Sequence, residues 1–306
     1  MSTLERIANR GISVMTRAML RHIQSKLQPR YITRDIHDYK MTLDLKDPGI
    51  SRALNLFGER ELDMKFMLER FVKPGMTVFD IGSNIGYYPL LILSLLRGSG
   101  KVVCIEPLPA NVSLLKQNLI LNGYFGRLYG NMPIVEAAVS DRAKDLTFHL
   151  SEFSNLGTFH PVETSFGNGK TIQVRATTIA ELSDRYGNPD LIRMDIEGHE
   201  VEVIKGLIAD KQFPIIIFEV HTDRYSAEHD FVPVLKALFK RGYGVPLLSS
   251  GHSGVNWIEG YGYKPGRRIA TDATYRTLFD NIRPDDAIDL ICNRGGVRTV
   301  VLKQQS

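Results

Sequence analysis

The chain has 306 residues, 43% of them hydrophobic and 24% charged, with a formal net charge of +4. This is ordinary globular content, enough for one large domain with extensions or for two small ones, and a charge so small and dispersed leaves no footprint for nucleic acid. The two cysteines, Cys104 and Cys292, are too few for a disulfide framework and read as buried thiols on strands, in a reducing, cytoplasmic compartment.

Residues 1–50 read as a basic amphipathic extension ahead of a main domain over 51–306. Leu4, Ile7, Met15, Met19, Leu20, Ile23 and Leu27 recur at mostly helical spacing, with Arg10, Arg17, Arg21 and Lys26 between them. Such a helix packs on its own domain or rests peripherally on an anionic membrane. Its composition also resembles a mitochondrial presequence. No run is apolar enough to span a bilayer, and no continuous apolar stretch marks a secretory signal. "MTLDLKDPGISRALNLFG" reads as strand, turn and helix. Glu59 and Glu61 lead into a helix over 62–71, stopped by Pro74-Gly75.

From Met76 strands and helices alternate. "TVFDI", "KVVCIEP", "DLIRMDIE" and "PIIIFEVH" are apolar strands without polar alternation, as in a parallel sheet covered on both faces. Helices run through "YPLLILSLL", "ANVSLLKQNLILNG", "TIAELSDRYG", "EVEVIKGL" and "FVPVLKALFKRG". "IVEAAVS" reads as a further strand, followed by a strand pair at "DLTFHL" and "TIQVRATTI". The last strands are expected near "YGVPLLS" and "AIDLICNR", with the glycine-rich stretch 251–266 as a loop insertion between them. The alternation predicts a doubly wound α/β domain.

In that fold ligands bind at the carboxyl ends of the strands. There "DIGSNIGYY" places Asp80, Gly82, Asn84 and Gly86. The glycines permit φ > 0 or close approach, and asparagine tolerates left-handed geometry. A nicotinamide fingerprint needs Gly-x-Gly-x-x-Gly, but Asn84 and Tyr87 replace its second and third glycines. Glu106 ends the next strand, where a carboxylate can accept both hydroxyls of a ribose. Asp195 and Glu197 share one side of the strand end in "MDIEGHE", and Glu219 and His221 end the following strand. One of them can accept a proton, His221 being a candidate general base. These four could also hold a hard divalent cation, but no spacing demands it and no metal is assigned. His199 reads as an exposed loop residue, Glu200 as a helix N-terminal cap and Asn111 as a cap or interior polar group.

"DIGSNIGYY", "CIEPLPANVSLLKQN", "AAVSD" and "IRMDIEGHEVEVIKG", in that order over residues 40–222, resemble successive motifs of the FkbM family of S-adenosylmethionine-dependent methyltransferases. The resemblance implies a class I methyltransferase fold, Rossmann-like, with a doubly wound seven-stranded sheet whose last strand is antiparallel. It implies S-adenosyl-L-methionine as cofactor and a hydroxyl acceptor on a sugar, glycolipid or small natural product. The glycine turn then faces the methionine moiety, Asp80 its ammonium, Glu106 the ribose, and Ser140 or Asp141 the adenine edge; for Asp141 a turn cap before the hairpin is the competing reading. Asp195, Glu197 and His221 would carry the chemistry. Arg193 replaces a lysine, and Ser83 an alanine, common in relatives. An adenine methylase would show Asn/Asp-Pro-Pro-aromatic where this chain has "DIEG", which argues against a nucleic-acid substrate. The alternatives are an NAD(P)-dependent oxidoreductase and a non-catalytic cofactor-binding scaffold.

Overall fold

The computed structural model describes residues 29–124, 132–153, 156–160, 167–271 and 274–305. The amphipathic stretch 4–27 lies outside them. The chain order of strands is β1 (Tyr31–Ile36), β2 (Tyr39–Asp44), β3 (Thr77–Ile81), β4 (Lys101–Ile105), β5 (Ile134–Val135), β6 (Ala138–Val139), β7 (Lys144–Ser151), β8 (Gly167–Thr177), β9 (Leu191–Met194), β10 (Ile215–Glu219), β11 (Tyr243–Ser250), β12 (Arg268–Thr271), β13 (Thr274–Ile282) and β14 (Val297–Gln304).

The main sheet runs β12-β13-β11-β14-β10-β9-β3-β4-β5. Strands β5, β4, β3, β9 and β10 are parallel, and β14 enters antiparallel between β10 and β11. The sheet is the expected doubly wound mixed one, with its last strand in the chain antiparallel, but it has nine strands among the described residues and not seven. The β12–β13 hairpin extends the β11 edge to nine. β7 and β8 pair antiparallel as expected, joined by β6 in a separate three-stranded sheet.

The parallel strands are buried almost throughout because helices cover both faces. Phe79, Ile81, Val103, Ile192 and Phe218 pack on one side with Leu182, Val203, Ile204 and Leu235 of the helices Ile179–Tyr186, Glu200–Ala209 and Val232–Lys240. Val78, Val102, Cys104 and Ile217 pack on the other with Met67, Leu91 and Leu115 of the helices Leu62–Phe71, Tyr87–Leu96 and Pro109–Leu121. Met41 and Leu43 of the β1–β2 hairpin join this second cluster, fully buried. No helix among the described residues is long and apolar enough to cross a membrane.

Three expectations at the C-terminal end are corrected. The stretch 251–266 is not all loop, since His252–Gly260 is a helix. Gly254 does not break it. A Cβ there would come within 2.3 Å of Ser250 Oγ and 2.8 Å of the Gly296 backbone, so the glycine serves close packing. "AIDLICNR" is not a strand but a helix, Pro284–Asp289, continued as a π-turn over Leu290–Arg294. Pro284 at the first helical position and Asp285 and Asp286 in the first turn favour that start; a short apolar run does not distinguish strand from helix. Consequently Cys292 is half-buried on that turn, whereas Cys104 is buried on β4 as expected.

Candidate functional site

At the carboxyl ends of β3, β4 and β9 lies an open cleft with about 790 Å³ of empty volume. Gly82, Ser83, Asn84, Glu106, Asp195 and Glu197 line it, together with Arg60, Glu61, Tyr88, Arg193, Phe159 and His199. The structure therefore brings the two ends of the predicted site into one space. Ser140, Asp141, Gly86, Asp80 and His221 are not in its wall.

The glycine turn owes its residues to the protein itself. Gly82 has φ +80°, and a Cβ on it would fall 2.3 Å from the Asp195 carbonyl oxygen. At Gly86, φ is +97° and a Cβ would meet Leu115 Cδ1 at 2.9 Å. Both positions let β3, β9 and the helix Pro109–Leu121 close together. Asn84 adopts the left-handed conformation at φ 47°, and its Oδ1 accepts from Ile85 N at 2.8 Å.

Glu106 is the polar centre of this half. Oε2 accepts from Asn84 N at 2.9 Å, and Oε1 from Leu108 N at 3.0 Å and Asn111 Nδ2 at 3.2 Å. Asn111, expected as a cap or interior polar group, is thus a partner of Glu106. Burial pushes the Glu106 carboxyl up to about 7 despite these donors.

Beneath the loop, Arg193 occupies an otherwise apolar strand and is buried. Nη1 lies 3.3 Å from Asp80 Oδ1 and donates to the Gly82 carbonyl at 3.1 Å, while Nη2 reaches Asp195 Oδ2 at 3.1 Å. Its guanidinium stacks 3.8 Å from the Tyr88 ring centroid. Asp80 is completely buried, and burial raises its pKa against the pull of Arg193. Asp80 therefore supports the floor and does not line the cleft. The physical signal for Arg193 was available: a charge inside "LIRM" requires a buried partner.

On the opposite side Asp195, Glu197, Glu219 and His221 do converge. His221 Nε2 lies 3.7 Å from Glu197 Oε2 and 3.8 Å from Asp195 Oδ1, and Nδ1 lies 3.3 Å from Glu200 Oε1. Burial alone would lower the His221 pKa, but Glu200, then Glu197, outweigh it and hold the ring protonated well above the ordinary histidine range. This direction argues against His221 as the base and for a role in holding the charge of Asp195 and Glu197. Burial, reinforced by Asp195 and Glu219, pushes Glu197 up to about 8, and Glu219 rises to about 7. Glu197 also sits at φ 54°, a conformation side chains rarely adopt. Arg224 approaches Glu197 at 3.7 Å, and Arg298 bonds Glu219.

Two further expectations change. His199 is not exposed: it is buried, its Nε2 is 3.2 Å from Ser140 Oγ, and burial lowers its pKa to about 4. Ser140 donates to Asp141 Oδ1 at 3.0 Å, and Asp141 pairs with Lys144 at 3.2 Å, so both are engaged outside the cleft. Glu200 opens its helix as expected, accepting from Ile196 N at 3.1 Å. Ligand-capable atoms of Asp195, Glu197 and His221 lie within 4.8 Å of one another, as do those of Glu61, Asp195 and Glu219. Guanidinium groups already neutralise much of this charge: Arg60 lies 2.5 Å from Glu61, and Arg193 is paired with Asp195.

A family model described as "Methyltransferase FkbM domain" matches residues 80–245, more than half of the chain, and the chain belongs to this family. It is 27% identical to hexuronic acid methyltransferase AglP of Haloferax volcanii, over 56% of this chain and 66% of that protein. It is 25% identical to methyltransferase sdnD of Sordaria araneosa, over 42% of this chain and 60% of that one. The chain thus matches less than two thirds of either relative's length. Among solved structures, it is similar to methyltransferase FkbM from Methylobacillus flagellatus, with 16% identity, coverage of 75% of this chain and 53% of that chain, and a TM-score of 0.36.

Proposed function

We propose that this member of the FkbM methyltransferase domain family is an S-adenosylmethionine-dependent O-methyltransferase acting on a hydroxyl of a sugar, glycolipid or small natural product. The observation that carries the reading is a single cleft bounded by Glu106 at one end and by Asp195 and Glu197 at the other. The residues present fit the cofactor. Glu106 keeps one lone pair, on Oε2, beyond its three accepted bonds and can take a ribose hydroxyl, and Asn84 and Tyr88 flank the space leading to Asp195. When bound, the cofactor supplies an electrophilic methyl group on a sulfonium. Asp195 and Glu197 line the acceptor end, where the Asp195 carboxylate can accept the proton of a hydroxyl and Glu197, its carboxyl pushed up to about 8, can hold that hydroxyl in place. Protonated His221 stands behind them and holds their geometry and charge. Family membership and the name of the Haloferax relative support the methyl-transfer reading and the sugar class. For a glycolipid acceptor, the basic stretch 4–27 would provide contact with an anionic membrane surface.

Calorimetric titration of the full chain with S-adenosylmethionine and with NAD tests the cofactor, and mass-spectrometric gain of a methyl group on hexuronic-acid glycans tests the acceptor. Saturable binding of the first and none of the second is expected. Binding of NAD alone would overturn the reading in favour of an oxidoreductase, and cofactor binding with no transfer to any hydroxyl acceptor would favour a scaffold.

A further inference from the structure

A second cluster lies behind the Phe159–His199 wall of the cleft and takes no part in the proposed chemistry. His160, His199, Glu202 and His229 meet there from three chain segments. His160 Nε2 is 2.9 Å from His199 Nδ1 and 3.6 Å from Glu202 Oε2. His199 Nδ1 is 3.5 Å from the same oxygen, and His229 Nδ1 is 3.1 Å from Glu202 Oε1. The ligand-capable atoms of His160, Glu202 and His229 all lie within 4.8 Å of one another.

The outer hydrogen bonds decide which ring nitrogens hold lone pairs. His229 Nε2 lies 2.7 Å from the Gly198 carbonyl, which only accepts, so Nε2 carries a proton, and Nδ1 faces Glu202 Oε1, where it holds either a second proton or a metal ion. Ser140 spends its own proton on Asp141, so at 3.2 Å it accepts from His199 Nε2, and the His199 Nδ1 lone pair also points inward. Glu202 Oε2 is buried and makes no hydrogen bond. One ring proton bridges His160 Nε2 and His199 Nδ1, and a cation held by His160, His229 and Glu202 would displace it and meet the bare Oε2. Tetrahedral zinc with bonds of about 2.0–2.1 Å would separate its ligand atoms by about 3.3–3.4 Å, and the Glu202 oxygens stand 3.6 Å from His160 Nε2 and 3.1 Å from His229 Nδ1. The outer bond from His229 to the Gly198 carbonyl is of the kind that orients a metal-bound imidazole.

We propose that His160 Nε2, His229 Nδ1 and a Glu202 carboxylate oxygen bind one divalent transition-metal ion of the zinc class. Imidazole-rich sites suit zinc, nickel, iron or copper and not magnesium. Three protein ligands leave one position of a tetrahedral ion for water. The ion clamps the segment carrying Thr158 and His160, the start of the helix Glu200–Ala209 and the turn carrying His229. Thr158 already donates to the Glu197 carbonyl at 2.8 Å, and Arg224 Nη1 reaches the His160 carbonyl at 3.4 Å. The clamp thereby braces the wall of the cleft, including the strained Glu197.

The test uses the purified full chain, stripped with a chelator and reloaded with Zn²⁺ alone. Elemental analysis should find about one ion per chain, and loading with Co²⁺ should give the intense visible bands of tetrahedral coordination. His160→Gln and His229→Gln should each weaken Zn²⁺ at least about tenfold in competition with a chromophoric chelator. His160 is a quarter exposed (26%), so its variant should keep the native circular dichroism. Failure of the stripped chain to retain Zn²⁺ would overturn the proposal and leave a proton-bridged cluster. So would full retention in both histidine variants combined with loss in Glu197→Gln, which would place the ion among Asp195, Glu197 and His221.

Discussion

The two ends of the cleft are built on opposite electrostatic plans. At the Glu106 end a single carboxylate is held by two backbone N–H groups and one amide, with no cation in contact. At the Asp195 end, carboxylates, a protonated histidine and buried guanidinium groups balance one another across several strands. The first plan is local and suits a neutral hydroxyl-bearing ligand. The second is a network in which removing one member leaves its partners as uncompensated buried charges. A uniform site would respond similarly to substitution anywhere, whereas this one should respond in kind as well as in size.

The largest difference is expected in turnover. Asp195→Asn should lower the single-turnover methyl-transfer rate by about 10²–10⁴, the usual contribution of positioned acid–base groups, while cofactor affinity measured by titration stays close to that of the parent. An unchanged rate would remove Asp195 from the chemistry. Next, Arg193→Met leaves Asp80 and Asp195 without their shared partner and should cost about 3–5 kcal/mol in denaturant-induced unfolding; a loss below about 1 kcal/mol would show that the network is not cooperative. Arg193→Lys keeps the charge and should lose less.

At the other end, Glu106→Ala should weaken cofactor binding by about 1–3 kcal/mol, with the rate at saturation little changed. Glu106 also sets a pH dependence. Its carboxyl is raised from 4.5 to about 7, so the folded state holds the proton more tightly than the unfolded chain. Its contribution to stability is complete below about 4.5 and is lost as the pH rises through about 7. Cofactor affinity should move the other way and tighten across that range, because the ionised carboxylate leaves its remaining Oε2 lone pair open to a ribose hydroxyl. Glu106→Gln should flatten both profiles. The smallest effect is expected at Asn84, where the left-handed backbone suits glycine and the contact to Glu106 comes from the backbone N–H. Asn84→Gly should change stability by less than about 1 kcal/mol and leave affinity within twofold.

Local order was legible without coordinates. An apolar strand followed by Gly82, Asn84 and Gly86 could only be a turn at a strand end, because those positions need left-handed backbone, and all three adopt it. Glu106, Asp195 and Glu197 were placed by the same logic, since a charged residue ending a buried strand has to emerge where the sheet stops. The parallel core was equally visible, because a strand covered on both faces has no polar alternation to hide it.

What the sequence left open depends on distances between elements far apart in the chain. The glycines proved necessary because Asp195 and Leu115 pass within a Cβ radius of the turn, a fact that belongs to three segments at once. The charge of His221 is set by Glu200, the first residue of the preceding helix, which stands against its Nδ1. His199 was buried by a segment forty residues upstream. The last strand slipped from "AIDLICNR" to Val297–Gln304 because a short apolar run satisfies helix and strand alike, and only the vacant edge between β10 and β11 selects the one that pairs. Residue type and local periodicity determined the elements and the ends at which chemistry is placed. Protonation, burial and the choice among equivalent apolar runs were decided by tertiary packing, because each is an energy of contact between groups that the chain order does not bring together.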